Sequence, residues 1–449
     1  MTFPYKNMTT HATHKQINIP NNTSYKTPAI KISSWNINGI YSKDHDKTKD
    51  PCFIQKINTN DIVFLMETKC SPVKPVTVPG YYSYDIYRTS LRTARTDSGG
   101  ITLLCKDKYR KGIKILTCKS EDYMWIKLDK KFFQLFEDLY ICAAYDPPPN
   151  STYSLRLAKD PLELIEEDII KYSKLGNILL LGDLNARTSD VPDYICNDSD
   201  NFIPIYEDYT LDEAPKTRIS QDNQLDTRGK HLLEICIESK LRILNGRCLG
   251  DTLGTFTCHT YNGSSVVDYA IASETICKDI LYFNVHKFDG TLSDHCMITT
   301  LLQIKRPISI SNDDINLHNI HLPKKWTENT KNIFTTNISS ERTQNKILQL
   351  HAKVNTSDTN ELMNALTNIF VDNIPRRQYR PKAKRYKNTK RTEKWYDKSL
   401  HDLRKAVQRK AQYISNNPYD KPARLSFYFI LKKYRKLRKL KHKEYNNTL

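Results

Sequence analysis

The chain is short of apolar residues: hydrophobic side chains make up 39% of its 449 residues, and the mean hydropathy is −0.62. That share lies below the usual globular range, so part of the chain must be polar and poorly packed. No apolar run approaches the roughly 18 residues that a membrane helix needs, and no membrane partner is expected. The N-terminus, MTFPYKNMTTHATHKQ, lacks the apolar core of a secretory signal, which points to an intracellular protein. CxxC pairs are missing too. The eleven cysteines, all between Cys52 and Cys296, are odd in number and sit mostly in apolar segments, which argues against a disulfide framework or a zinc knuckle. Cys258 and His259 are adjacent rather than ligand-spaced, so reduced cysteines filling a core are expected. No repeat at a fixed period is present.

What is there is an uneven charge. The net charge is +19, yet Arg376–Leu449 alone holds 25 Lys and Arg against 5 Asp and Glu. The first 375 residues are therefore near neutral, and the pattern predicts a compact body with a polyanion-seeking extension. Residues 1–30 are rich in Thr, Asn, Lys and His without periodicity and read as a disordered lead-in. From Lys31, short apolar runs bounded by turn residues recur: KISSWNI, DIVFLME, GGITLLC, LYICAAY, NILLLGDL, SVVDYAIA and CMITTLL. Each has the length and β-branched or aromatic content of a strand. Helical patterns lie between them at 159–173 and 228–239. Adjacent strand pairs interleaved with helices predict an α/β sandwich, two packed sheets flanked by helices, over 31–305. A polar linker with one amphipathic helix, NELMNALTNIFVDNI, follows over 306–375. The basic extension, 376–449, carries helix-prone segments at 394–414 and 423–445. In the second, Phe427, Leu431, Tyr434, Leu437 and Leu440 fall close to helical spacing opposite Lys and Arg.

Polar residues gather where the strands end. Asn36 and Asn38 follow the first strand, Glu67 closes DIVFLMETK, and Asp183 and Asn185 share one side of LLLGDLNAR. Asp268 sits in SSVVDYAIAS, and Asp294 and His295 in LSDHCMITT. Singly each is weak, since a Glu at a strand end is usually a solvated edge residue and Asn-Gly usually a turn. In this order, all at strand termini, they match what phosphodiester hydrolysis requires. Magnesium binds through one or two carboxylates and other oxygen donors, which Glu67 and Asn38 can supply. His295 has the pKa of a general base and needs a carboxylate to fix its tautomer, a part that either Asp268 or Asp294 can play. Asp183 suits the leaving oxygen, with Asn185 and Asn36 as donors to the phosphate.

In order, SWNINGI, LMETK, AAYDPP, LLLGDLNAR, SSVVDYAIAS and LSDHCMI resemble the blocks of the exonuclease III-like endonuclease/exonuclease/phosphatase superfamily. The nearest likeness is to the apurinic-type endonuclease domain of LINE-type non-LTR retrotransposons, over residues 31–303. The resemblance implies a four-layered α/β sandwich and a DNA-nicking activity dependent on magnesium, with manganese as a substitute. It places Glu67 at the metal, with Asn38, Asp183, Asn185 and Asp294 as its other ligands. Asp183 and Asn185 then bracket the leaving group and phosphate, His295 is the base, Asp268 pairs with it, and Tyr145 contacts phosphate. The partner implied is the DNA backbone, with RNA reached through the basic tail, in the nucleus. Three departures stand out. Asn38 replaces the Asp of abasic-site repair members. The phosphate-contacting Asn of those members is displaced or lost in DPPPN, which leaves Asn150 unassigned. Ser265 replaces a bulky aromatic beside the abasic pocket.

The stretch TEKWYDKSLHDLRKAVQRKAQY resembles the basic connector that precedes a reverse transcriptase in such elements, and no polymerase follows, so a truncated element product is expected. The extension 376–449 reads either as a nucleic-acid grip, with Tyr379, Tyr386, Trp395, Tyr396, Tyr428 and Tyr434 interleaved among cations, or as a solvated charge run whose last helix has an apolar face orphaned from a missing partner. Two other functions remain open at this point. One is a phosphatase or phosphodiesterase of the same fold acting on inositol phosphates or lipids, although VVDYAIAS stands where that group has a Cys-Asp-Arg block. The other is a catalytically inactive nucleic-acid-binding remnant.

Overall fold

Runs that are apolar at every position, such as IVFLM and LYICAAY, cannot form strands with one wet face; they need cover on both sides. The computed structural model supplies it. It describes residues 29–42, 44–88, 98–195, 217–304, 321–323, 327–353, 359–373, 376–378 and 395–448. Residues 1–28 of the lead-in and the rings of Tyr379 and Tyr386 lie outside the described residues, while Ala29 and Ile30 already belong to the first strand. Twelve strands build the core: β1 (Ala29–Asn36), β2 (Ile62–Met66), β3 (Tyr81–Ile86), β4 (Ile101–Lys106), β5 (Ile113–Ile115), β6 (Tyr123–Leu128), β7 (Leu139–Tyr145), β8 (Asn177–Asp183), β9 (Leu241–Ile243), β10 (Asp268–Ser273), β11 (Ile280–Val285) and β12 (Ile298–Gln303). They form two six-stranded mixed sheets, ordered β11-β12-β1-β2-β4-β3 and β9-β10-β8-β7-β6-β5. Each sheet has one parallel pair at its centre, β1 with β2 and β7 with β8, and antiparallel neighbours outside it.

Alternate residues of the two sheets meet in a dry middle layer that includes Ile32, Phe64, Leu103, Ile126, Ile141, Leu181 and Phe283. Each such side chain contributes about 1.5–3 kcal/mol on burial. The opposite faces are covered by helices. Phe53 and Ile57 of α1 (Pro51–Asn58) pack with Trp35, Val63 and Leu65 on the first sheet. Leu162, Ile165 and Ile169 of α2 (Pro161–Tyr172) and Leu232, Leu233 and Cys236 of α3 (Thr227–Glu238) cover the second. All three helices start on an aspartate whose side chain accepts a first-turn N–H: Asp50, Asp160 and Asp226. Pro51 and Pro161 at the first helical position reinforce two of these starts. Two mixed sheets flanked by helices is the expected four-layered sandwich. No disulfide joins the described cysteines, and no described helix is long and apolar enough to cross a membrane.

The chain divides into two units. Ile308–Lys390 forms one, and residues up to Pro307 form the other together with Arg391–Leu449. The smaller unit carries α4 (Glu328–Ile338), α5 (Glu341–Ala352) and α6 (Thr359–Asn373). Only α6 is visible as an amphipathic pattern. The other two are polar along much of their length, and they start on Thr327 and Ser340, whose side chains cap the third N–H of each helix.

The basic extension folds back onto the sandwich as a hairpin of α7 (Lys398–Asn416) and α8 (Lys421–Asn447). Leu400, Val407, Ala411 and Ile414 of α7 meet Phe427, Leu431 and Tyr434 of α8, and both helices close over Phe288 and Cys296 of the sandwich. Phe288 and Phe427 have ring centroids 5.7 Å apart. The apolar stripe of the last helix is therefore not orphaned, because the sandwich and the preceding helix fill it; only Leu440, 51% exposed, is left out. Polar anchors fix the docking. Arg404 donates to both oxygens of Asp50, at 2.8 and 3.0 Å. Arg438 donates to Asp44 at 3.0 Å and reaches His45 Nδ1 at 2.9 Å, and His45 Nε2 lies 3.2 Å from Asp50. Tyr428 donates to the His259 carbonyl at 2.8 Å.

Candidate active site

A parallel strand pair ends both its members at the same edge. β1 stops at Asn36 beside Met66, and β8 stops at Asp183, in register with both Tyr145 and Asp268. The loops that continue the first pair are laced together. Ile37 N donates to Met66 O at 3.0 Å, Gly39 N to Glu67 O at 2.6 Å, and Ile40 N to Thr68 O at 2.9 Å. Gly182 of GDLN has φ +144°, and any Cβ there would strike the Ala144 carbonyl, so the glycine lets β7 and β8 approach where their polar ends begin. Asn38, Glu67 and Asn185 adopt left-handed backbone, with φ 47°, 49° and 44°. Non-glycine residues in this region are uncommon and gather at functional sites.

The polar residues predicted at these strand ends form one connected network. Asn36 Nδ2 donates to Glu67 Oε1 at 2.9 Å and to Asp183 Oδ2 at 2.8 Å, tying the two sheets together. The Asn36 Oδ1 accepts from Asn38 N at 3.0 Å. Asn38 Nδ2 faces the Asp294 carboxylate, 3.2 Å from its nearer oxygen. Tyr145 hydrogen-bonds Glu67. His295 Nδ1 lies 2.9 Å from Asp268 Oδ2, and its Nε2 lies 3.8 Å from Asp183 Oδ2. The fork between Asp268 and Asp294 as partner of His295 is thereby resolved in favour of Asp268. Asn185 N donates to Asp183 Oδ1 at 3.2 Å, while its side chain donates to the Asp146 carbonyl at 2.7 Å. Asn150 is exposed in the turn after Asp146.

Several neighbours escaped the sequence reading. Lys69, two residues after Glu67, donates to Asn38 Oδ1 at 2.7 Å and lies 3.1 Å from Glu67 Oε2. Its position in the ETK block is the signal that could have found it. Trp35 Nε1 donates to the His295 carbonyl at 2.9 Å, Ser293 Oγ donates to the Asn36 carbonyl at 2.6 Å, and Cys258 Sγ lies 3.4 Å from His295 Nε2. Arg228 grips Asp146 with two nitrogens across 82 residues, a pairing without a local motif.

Charge in the site is set by burial against partners. Burial works against the Glu67 carboxylate, but Lys69, Asn36 and Tyr145 outweigh it and hold its pKa below the ordinary value. Asp294 is held low in the same way, by His295, Asn38 and Ser293. Asp183 goes the other way: burial, with Asp268 and Glu67 adding, pushes it up to about 7 against His295 and Asn36. Burial disfavours a charged imidazole, yet Asp268 and Asp183 raise His295 well above its usual pKa. Asp183 and His295 thus compete for one proton across 3.8 Å. Burial also raises the Cys258 thiol, which keeps it protonated and a poor ligand for a soft metal.

Two donor groups share Asp183. Ligand atoms of Asp183, Asp268 and His295 lie within 4.8 Å of one another, but there one imidazole nitrogen is already taken by Asp268. On the other side, Glu67, Asp294 and the Asn38 amide offer an all-oxygen donor set, the donor chemistry of a hard divalent cation, although here the Lys69 ammonium sits on Asn38 Oδ1 and Glu67 Oε2 and the Asn38 Nδ2 is turned to Asp294. The residues present fit such an ion. The model for the Endonuclease/Exonuclease/phosphatase family matches residues 33–295, more than half of the chain and every residue of this network.

The chain belongs to this family. Among solved structures, a 3'-5' exonuclease (NExo) from Neisseria meningitidis is similar at 13% identity with a TM-score of 0.39, covering 61% of this chain and 100% of its own. The AP endonuclease LMAP from Leishmania major is similar at 14% identity with a TM-score of 0.43, covering 62% of this chain and 88% of its own. No curated protein matches the chain in sequence. The family and this network support a hydrolase that acts on phosphodiesters.

Proposed function

We propose that this Endonuclease/Exonuclease/phosphatase member is a divalent-cation-dependent endonuclease that nicks DNA, of the kind carried by LINE-type non-LTR retrotransposons. The observation that carries the reading is Asn36, whose amide joins Glu67 of one sheet to Asp183 of the other beside the His295–Asp268 pair. Glu67, Asp294 and Asn38 would hold magnesium or manganese, with Asp183 and Asn185 at its edge. A cation held there supplies neutralisation of charge on the phosphate and the leaving oxygen. The rest falls to the chain's own groups. With the proton that the two groups share on Asp183, His295 Nε2 is free to take a proton from the attacking water, while Asp268 keeps the proton on Nδ1 and steadies the imidazolium that results. Asp183, able to hold a proton at neutral pH, faces the leaving oxygen. Asn185, with one amide N–H still to give, donates to a phosphate oxygen, while Asn36 and Tyr145 spend their N–H and O–H groups on Glu67 and Asp183 and hold those carboxylates in place. Lys69 joins them as a positioning residue, since it holds both Asn38 and Glu67. The LINE-type assignment rests on Asn38, Ser265 and the basic extension.

The test is conversion of supercoiled plasmid to open circle by the full chain, with magnesium, with manganese and with excess EDTA. Nicking that depends on either cation is expected. Equal nicking in EDTA would overturn the cation-dependent reading.

A further inference from the structure

The docked hairpin creates a cavity that the sandwich alone does not close. It has a volume of about 250 Å³ and lies between the β1–α1 connection, the loop at Thr291–Asp294 and α8. Asn38 and Asp294 line it, so it opens directly beside the all-oxygen donor set. Its other polar walls include Lys47, Arg435, Arg438 and His45, the last kept neutral by burial, which lowers its pKa. Lys47 is buried, 8% exposed, and spends one ammonium N–H on the Ile37 carbonyl at 2.5 Å. Burial pushes its pKa down to about 7, with Asp294 opposing the fall, and in its ammonium form two N–H groups remain to be used. Arg438 is already engaged with Asp44 and His45. Arg435, one turn earlier on α8, has neither a hydrogen bond nor an ion pair among the described residues. A guanidinium is a planar fork of donors matched to carboxylate and phosphate, and here an exposed one stands at a cavity mouth.

The chemistry of the walls selects the ligand. Tyr41 also lines the cavity, but Lys74 already lies over its ring at 3.9 Å, so that face is closed to a stacking base. What remains is cationic and faces a site that, under the function proposed above, holds one phosphate of a strand. The anion always present next to that phosphate is its neighbour along the same backbone.

We propose that the seam between α8 and the β1–α1 connection is an anion subsite for a backbone phosphate adjacent to the one being cut, with Arg435 and Lys47 as its donors. The hairpin would then complete the substrate-binding surface, and its anchors at Asp50 and Asp44 would serve to hold Arg435 in place. This inference rests on the endonuclease reading.

The test uses the full chain and measures affinity for uncut duplex DNA in EDTA across a range of salt. Arg435→Ala should weaken binding about tenfold, the usual worth of one charge-assisted contact. It should also lower the slope of log affinity against log salt by about 0.9, the share of one phosphate. Arg435→Lys should keep the slope. Lys443→Ala, an exposed cation further along the same helix, should lose less affinity than Arg435→Ala. Equal effects at the two positions would mean a diffuse charge and overturn the subsite, as would an Arg435→Ala variant that binds like wild type. Inorganic phosphate, titrated onto each protein and followed by phosphorus NMR, separates the sources. Arg435-dependent phosphate binding with unchanged DNA affinity would make this a free-anion site and also refute the proposal. Because binding is read without cleavage, a chain that never nicks DNA but loses affinity at Arg435→Ala would sink the endonuclease reading, and with it the place of the subsite beside a cut phosphate, while Arg435 would still stand as a backbone-phosphate contact.

Discussion

Replacing Asp268 by asparagine tests the proton-transfer pair with almost no change of shape. In the native site Asp268 Oδ2 lies 2.9 Å from His295 Nδ1, with Asp268 buried and His295 partly so. Asp268 Oδ1 has no hydrogen-bond partner among the described residues, so the carboxylate is tied only to His295, and the backbone sets where the residue stands: its N–H donates to Thr257 Oγ1 at 3.0 Å, and its carbonyl accepts from Asn245 at 3.0 Å. An amide keeps both of those bonds. It removes the negative charge that stabilises the imidazolium formed when His295 takes a proton. For unit charges about 4 Å apart at an effective dielectric of about 20, that charge is worth roughly 4 kcal/mol. With about 1.4 kcal/mol per factor of ten, the turnover rate should fall about 10³-fold. If the amide turns its NH₂ group toward Nδ1, the neutral ring carries its proton on Nε2 and the loss grows. Single-turnover nicking of plasmid at saturating protein reads the step directly. A fall of less than about tenfold would refute the role given to the pair, and a rise in KM without loss of kcat would point to substrate binding instead.

Glu67→Gln keeps the contact with Asn36 but removes a charge from the oxygen donor set. Its activity should be low at ordinary magnesium and partly recover at high magnesium, as measured by the cation concentration giving half-maximal nicking; an unshifted midpoint would remove Glu67 from the metal. Arg404→Ala leaves Asp50 buried beside His45 without its guanidinium, a loss of about 3–5 kcal/mol for a buried pair. At roughly 2 °C per kcal/mol for a unit of this size, the melting temperature should drop by about 6–10 °C, and a drop under about 2 °C would show that the hairpin is not held there. The same pair has a pH signature. Burial opposes ionisation of Asp50, but His45 and Arg404 prevail and hold its pKa well below the usual range. A depressed carboxyl stabilises fully above its unfolded pKa of about 4 and loses that contribution as pH falls toward the folded value. The gap in melting temperature between wild type and Arg404→Ala should therefore be widest near neutral pH and shrink below about pH 4, and a gap that widens in acid would contradict the assignment.

The sandwich and its polar rim were legible because both follow from short-range pattern. Runs such as NILLLGD announce a strand covered on both faces, and a polar residue closing such a run has one place to go, the sheet edge. Tyr145, Asp183 and Asp268 share that edge because parallel and antiparallel registers bring them level. What periodicity cannot encode is the partner of a face. Phe427, Leu431 and Tyr434 mark a helical stripe in the sequence, and the stripe is real, but nothing local says that Phe288 lies beneath it. Arg404 and Asp50 are 354 residues apart, and each taken alone reads as a surface charge and a helix cap. The charge count misleads in the same way. It describes the extension as a polyanion-seeking tail, yet Arg404, Arg424 and Arg438 are buried and spend their guanidinium groups on the sandwich.

That division has a consequence for how the extension can meet DNA. A disordered basic tail would add affinity through any of its cations, each about equally, with no fixed relation to the cleavage site. A docked hairpin does something different. It commits some arginines to anchoring and leaves Arg435 one turn from the anchor Arg438, beside Asn38 and Asp294. The helix that carries Arg435 is already fixed beside the site when the chain folds, so only the side chain itself remains to be ordered when DNA arrives. A phosphate contact made there can act on register, because it fixes where the strand lies relative to His295, whereas the exposed lysines further along α8 can act only on residence. The anchors and the subsite are therefore one device, and cutting the Arg404–Asp50 tie should disturb the position of cleavage as well as the stability of the fold.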